Sequence, residues 1–253
     1  SMARMNTLLE LDRESQIATF GAGTPGPLLE QQLKEKGYTL GHFPQSWELS
    51  TVGGWVASRS SGQQSMRYGR IEQMFAGGRM ETPRGTLNIP AIPASSAGPD
   101  IREIVLGSEG RLGIITEVKV RVTPLPELET FQVAFAPNWD VAVELVRSLT
   151  QSRLPLSMLR VSNAEETRTH LTLAGHEKLV SLLHRYLSVR GCGERKCMIT
   201  FGVTGEKNQS KQTLAACKRR IRAAGGVMVG ELLGRKWEES RFRSPYLRHG
   251  LWE

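Results

Sequence analysis

The chain has 253 residues, 39% hydrophobic and 23% charged, which suits one large domain or two smaller ones with cores of their own. The longest apolar runs fall short of the roughly 18–20 residues a membrane span needs, and the first residues lack the charged-then-apolar order of a secretory signal. A net charge of +8 admits nucleic acid, an anionic surface or an anionic ligand as partner, while three cysteines without CxxC spacing exclude a disulfide framework or zinc site and suit a reducing cytoplasm.

Taken in order, TLLELDRESQIATF (7–20) predicts a hairpin with ELDRES as its polar turn. GAGTPGP follows as a loop, and LLEQQLKEKG predicts a short amphipathic helix. Leu28, Leu29 and Leu33 share its apolar face, and Gly37 is its stop. A short strand is expected over 39–43, ended by Pro44, and a short helix over 51–61. YGRIEQMFAGGRMETPRGTL predicts strand, turn and strand about Pro83, Arg84 and Gly85. An aperiodic Pro/Ser/Ala/Gly-rich loop covers 89–100, and Asp100 caps a short helix to Val105. After a glycine-rich turn at 107–113, Ile115, Val118, Val120 and Val122 alternate along a strand that Pro124 and Pro126 close.

Beyond Pro126 strands and helices alternate in an α+β order. Strands are expected at 131–135, 156–161, 197–203 and 227–230. Helices are expected at 139–151, 164–173, 176–188 and 206–224, and again from Leu232. A domain boundary is expected near 124–128, dividing the chain into 1–126 and 127–253.

Three stretches invite a ligand. GAGTPG (21–26) fits GxGxxG between a strand and a helix, the context of a dinucleotide fingerprint. Pro25 and Pro27 lack N–H groups where a pyrophosphate wants donors, so an ordinary strand–turn–helix is the better reading. In STVGGWVASRSSG the Gly53–Gly54 pair lets a ligand lie on the backbone, and Ser50, Thr51, Ser58, Ser60 and Ser61 offer hydroxyls. Arg59 can add a charge-assisted contact, and nearby N–H groups can face anionic oxygens. A polar loop with small-residue helix packing explains the same composition. GSEGRLGIITEV places Gly107, Gly110 and Gly113 around Glu109, which suits either close approach to a ligand or a buried crossover. Histidines 42, 170, 176, 184 and 249 are scattered without HExxH, so no metal site is expected, and GxSxG is absent. The late basic runs KRRIR and GRKWEESRFR come without a nucleic-acid module, so no specific nucleic acid is expected.

In order, PQSWELSTVGGWVASRSSG, YGRIEQ, ETPRGTL and SSAGPDIREIVLGSEGRLGIITEVKVRVTPLPE resemble the FAD-linked oxidases of the vanillyl-alcohol-oxidase type. Within them the resemblance is to the alkyldihydroxyacetonephosphate synthases and their bacterial relatives. It implies an α+β fold: the second part of a PCMH-type FAD-binding domain, then an α+β cap or substrate domain. It implies FAD as cofactor, with Gln45, Ser46 and Arg59 lining the dinucleotide and Ser50, Thr51, Gly53, Gly54, Ser58, Ser60 and Ser61 along the pyrophosphate and ribitol. Glu109, Gly110, Leu112, Gly113, Ile114 and Ile115 would lie toward the adenine or isoalloxazine. Trp55 would pack beneath the loop. Arg160, in the cap, would hold an anionic substrate, phosphorylated or carboxylated.

The family's upstream phosphate-binding glycines and its downstream histidines and tyrosine find no match here, so the resemblance implies an internal stretch of a longer flavoprotein. The activity implied is synthase-like, with a 2-hydroxy-acid oxidase or dehydrogenase as the competing reading. A truncated, non-catalytic stretch that binds flavin weakly or not at all is a third. A cytoplasmic location is expected, and a homodimer is compatible with the sequence.

Overall fold

The computed structural model describes residues 2–94, 96–173 and 177–242. They fall into two compact units, residues 2–125 together with Phe242, and Pro126–Arg241.

The first unit is a five-stranded antiparallel sheet in the order β1-β2-β6-β4-β5. Its strands are β1 (Leu8–Asp12), β2 (Ile17–Gly21), β4 (Phe75–Thr82), β5 (Gly85–Ile89) and β6 (Ile114–Arg121). Between β2 and β4 run α1 (Gly26–Lys34), the short β3 (Tyr38–Thr39), α2 (Val52–Ser58), α3 (Ser65–Tyr68) and α4 (Ile71–Met74). α5 (Ile101–Val105) precedes β6, and β7 (Thr123–Pro124) follows it and pairs with β3. The period-2 pattern of β6 sends Val118 and Val120 inward with Val122 beyond them. There they meet Phe20, Leu29, Leu33, Val52, Trp55, Val56 and Phe75 in one apolar cluster. Asp100 caps α5 by accepting from Arg102 N–H.

Two expectations in this unit are corrected. The strand over 39–43 stops at Thr39, because the Glu30 carboxylate takes the N–H groups of Leu40 and Gly41 and the Thr39 hydroxyl. Gly41 then turns through a φ of 72°, where a side chain would strike the Tyr68 ring. The strand expected from Tyr68 starts only at Phe75. Gly69 ends α3 at a φ of 86°, and the Gln73 side chain, accepting from Arg70 N–H at 2.8 Å, caps the start of α4.

The second unit is a four-stranded antiparallel sheet in the order β11-β8-β10-β9. Its strands are β8 (Leu128–Ala136), β9 (Leu156–Ser162), β10 (Cys197–Gly205) and β11 (Val227–Gly230). Its helices are α6 (Trp139–Gln151), α7 (Ala164–Leu173), α8 (Glu177–Val189), α9 (Lys207–Ala223) and α10 (Glu231–Ser240). β8 is buried without interruption from Thr130 to Ala136 because both faces are covered, its two polar side chains Thr130 and Gln132 bonding each other at 2.8 Å. Ala134 and Ala136 face α6 and α9, whereas Val133 and Phe135 face Leu171 of α7 and Leu187 of α8. The three cysteines are free and buried. Among the described residues no three metal-ligating side chains gather, and no helix is long and apolar enough to cross a membrane. His176 and His249 lie outside the described residues.

Candidate functional site

The three glycine-bearing stretches are stitched together by backbone hydrogen bonds. Val52 N–H donates to Thr24 O at 3.0 Å and Gly53 N–H to Ala22 O at 2.9 Å, while Pro25 bridges Thr51. At the other end of α2, Gly107 N–H donates to Val56 O and Glu109 N–H to Ala57 O, both at 3.0 Å. The α2 segment is thus held between the 21–26 turn and the 107–113 turn.

This stitching separates open positions from filled ones. A Cβ at Gly53 would lie 2.7 Å from Ala22 Cβ, so this glycine serves packing rather than ligand approach, a correction to the expected pair. A Cβ at Gly54 would meet only the Thr51 hydroxyl, at 3.4 Å, and one at Gly110 would meet nothing within 4 Å. At Gly113 a side chain would strike Glu81 O, as a sheet crossover requires. Glu109 and Gly110 adopt successive left-handed conformations, φ 48° and 79°, and expose the turn. Leu112 and Ile114 are exposed on it, and Ile115 is half-buried against the core.

The first amides of α2 do not face a ligand either. Those of Val52 and Gly53 go to carbonyls of the 21–26 turn, and Gly54 N–H reaches its cap, Thr51 Oγ1, at 3.4 Å. The expectation of free N–H groups there is corrected, leaving side-chain hydroxyls as the donors, since the Gly107, Ser108, Glu109 and Arg111 N–H groups of the second turn also go to protein carbonyls. Ser50 Oγ accepts from Trp55 Nε1 at 2.7 Å and donates to Ser46 O at 2.8 Å. Trp55 is therefore buried beneath the segment. Gln45 and Ser46 are exposed. Ser58 donates to Gly54 O at 2.9 Å, and Ser61 lies 3.3 Å from Ser65 Oγ. Arg59, in the left-handed region at φ 52°, caps α2 and pairs with Glu103, so its charge is shared with a carboxylate.

Among the described residues several buried side-chain polar atoms are unsatisfied, Trp47 Nε1 among them, and two bear on the site. Ser108 Oγ, in the second turn, is buried without a hydrogen-bond partner, and so is Nδ1 of His42. His42 is fully buried, its ring centroid is 4.9 Å from that of Trp55, and its Nε2 sits 2.6 Å from Ser60 Oγ. Burial pushes its pKa down to about 4, so the ring is neutral near pH 7. The sequence counts His42 among the scattered histidines, although only Phe43 separates it from the PQSWELS run.

An open glycine helix face, an exposed glycine turn and an orphaned hydroxyl within that turn fit a flat, oxygen-rich group laid on backbone. Arg160 lies in the second unit, on β9, rather than at its end. It is half-exposed and 3.4 Å from Glu166, itself half-exposed, a loose pair at the surface.

Residues 1–89 match the FAD binding domain family. The chain is 34% identical over 263 residues to an alkyldihydroxyacetonephosphate synthase of Dictyostelium discoideum, covering 99% of this chain and 43% of that protein. It is 39% identical over 170 residues to an FAD-linked oxidoreductase of Escherichia coli (strain K12), covering 66% of this chain and 35% of that one. A solved alkyldihydroxyacetonephosphate synthase structure superposes with a TM-score of 0.88 at 34% identity, over 99% of this chain and 46% of its own. The chain therefore spans less than half the length of these relatives.

Proposed function

The chain belongs to the FAD-linked oxidases of the vanillyl-alcohol-oxidase type, whose cofactor is FAD, and from that premise we propose that α2 and the 107–113 turn hold the flavin dinucleotide for chemistry on an anionic substrate. The observation that carries the reading is the pair of hydrogen bonds from Gly107 and Glu109 to the last turn of α2. They bring two motifs some fifty residues apart onto one surface. Thr51, Ser58, Ser60 and Ser61 offer hydroxyls to phosphate and ribityl oxygens. Gly54 and Gly110 let the dinucleotide approach the backbone, and Ser108 gains the partner it lacks. When bound, the flavin supplies the electron sink or electrophile that amino-acid side chains lack; the protein binds and orients it.

For the substrate, the reading is a small or lipid-precursor molecule with a phosphate or carboxylate. Three features support it. The chain carries a net charge of +8, Arg160 is only loosely paired with Glu166, and one relative is named for a phosphorylated product. A bidentate anion on the Arg160 guanidinium displaces that 3.4 Å contact with a shorter one. Titrating the purified chain with FAD tests the cofactor assignment. The expected outcome is quenched flavin fluorescence and a raised melting temperature, worth about 2.7 kcal/mol at one hundred times Kd. Saturating FAD that changes neither signal sinks the proposal for this chain.

A further inference from the structure

We propose that His42 is a positioning residue that turns the Ser60 hydroxyl into a directed hydrogen-bond donor for the bound dinucleotide. The inference rests on the cofactor reading above. It starts from the contrast between the two nitrogens of one buried ring. Nε2 lies 2.6 Å from Ser60 Oγ, whereas Nδ1 is buried and faces no hydrogen-bonding group. A Cβ at Gly62 would come within 3.3 Å of Nδ1, so the backbone closes that side of the ring.

A neutral imidazole carries one proton. On Nδ1 it would make an N–H buried without an acceptor, the rarest kind of orphan in folded proteins. On Nε2 it is satisfied by Ser60, and Nδ1 keeps only an unfilled lone pair. The tautomer is therefore Nε2–H, and Ser60 Oγ accepts from it. The proton of the Ser60 hydroxyl is then free to point elsewhere.

The neighbouring serines show that this is particular to Ser60. Ser50 donates to Ser46 O, and Ser58 donates to Gly54 O. Ser46 reaches Ser50 Oγ at 3.3 Å, and Ser61 has Ser65 Oγ at the same distance. Each has a protein oxygen for its proton, and among the described residues Ser60 has none. Its main chain is fixed as well: its N–H donates to Trp55 O, and its O accepts from Ile71 N–H. A half-buried hydroxyl on a rigid backbone, already accepting from a buried histidine, is aimed at an acceptor outside the protein. The phosphate and ribityl oxygens of the dinucleotide supply that acceptor.

Two measurements test this independently. Imidazole nitrogen chemical shifts of the ligand-free chain read the tautomer directly, and Nε2–H is expected. FAD titration of Ser60→Ala and His42→Phe is expected to show a loss of roughly tenfold in each. The double variant should lose no more than either single, because both remove one donor. His42→Gln keeps an N–H donor and is expected to recover most of the affinity, which a purely structural role for the ring would not allow. An Nδ1–H tautomer, or Ser60→Ala binding FAD like the parent, overturns the inference. If the parent chain ignores FAD while showing Nε2–H, the cofactor reading fails and the donor's ligand goes with it.

Discussion

Gly53 and Gly54 stand side by side and do different work. Only Gly53 is pressed against another segment, its missing Cβ making room for Ala22 across the 21–26 turn. Gly53→Ala is expected to destabilise the fold by about 1–3 kcal/mol, read from the urea midpoint, because neither Ala22 nor its backbone can retreat without moving β2. Gly54→Ala keeps or slightly raises stability, since alanine is the better helix former by about 1 kcal/mol, yet weakens FAD by covering the open face. Equal loss of stability in both variants would contradict the assignment. The sequence shows two identical letters here. What divides them is a partner thirty residues upstream, and no local pattern reports it. His42 makes the same point through titration. Its folded pKa of about 4 lies below the 6.5 of an exposed ring, so the unfolded chain takes up the proton first as pH falls. The stability due to its neutral burial is whole above pH 6.5 and drains away toward pH 4, by about 3 kcal/mol at most. His42→Gln should flatten that part of the stability–pH curve, measured by denaturant melts at stepped pH.

Among the elements, those that depend on near neighbours were legible. The alternation of β6, the Asp100 cap of α5 and the long helices α6 and α9 all follow from periodicity and capping chemistry within a few residues. β3 was not, because one carboxylate on α1 gathers Thr39, Leu40 and Gly41 and outcompetes strand pairing. That cluster joins α1 to the segment leading into the candidate site, so Glu30→Ala is expected to cost about 2–3 kcal/mol. It should also speed amide exchange over 39–43 more than elsewhere in the first unit. Uniform exchange changes would show that Glu30 is not a local clamp. The candidate site was legible as a set of motifs but not as a division of roles. Helix-terminal amides that looked available to a ligand are taken by Ala22 and Thr24, and the histidine behind Ser60 carries no motif at all.

For the molecule as a whole, each unit has its own sheet and apolar clusters, the first around Phe20, Trp55 and Val118, the second on both faces of β8 and β10. The α+β character of both units was readable from the change of grammar after Pro126, because period-2 and period-3.6 patterns survive in almost every element. With FAD added, hydrogen exchange is expected to slow most over 45–61 and 107–115, where the stitched segments lie. Protection concentrated elsewhere would move the flavin away from this site. The net charge of +8 adds an ionic-strength dependence to FAD uptake, stronger at low salt, since the ligand is a dianion and exposed charges are screened over roughly 10 Å at 0.1 M salt.

The bonds from Gly107 and Glu109 to α2 also set a timetable. They close a chain loop of about 50 residues, so they form late, after the β4–β5 hairpin has paired locally. Once formed, they owe nothing to the ligand. FAD thus meets a finished surface, and its uptake by folded protein should follow a single exponential whose rate rises linearly with FAD concentration. Refolding with or without FAD should then proceed at one and the same rate. Stopped-flow traces that level off at high FAD, or refolding accelerated by it, would mean that the flavin helps to build its own seat.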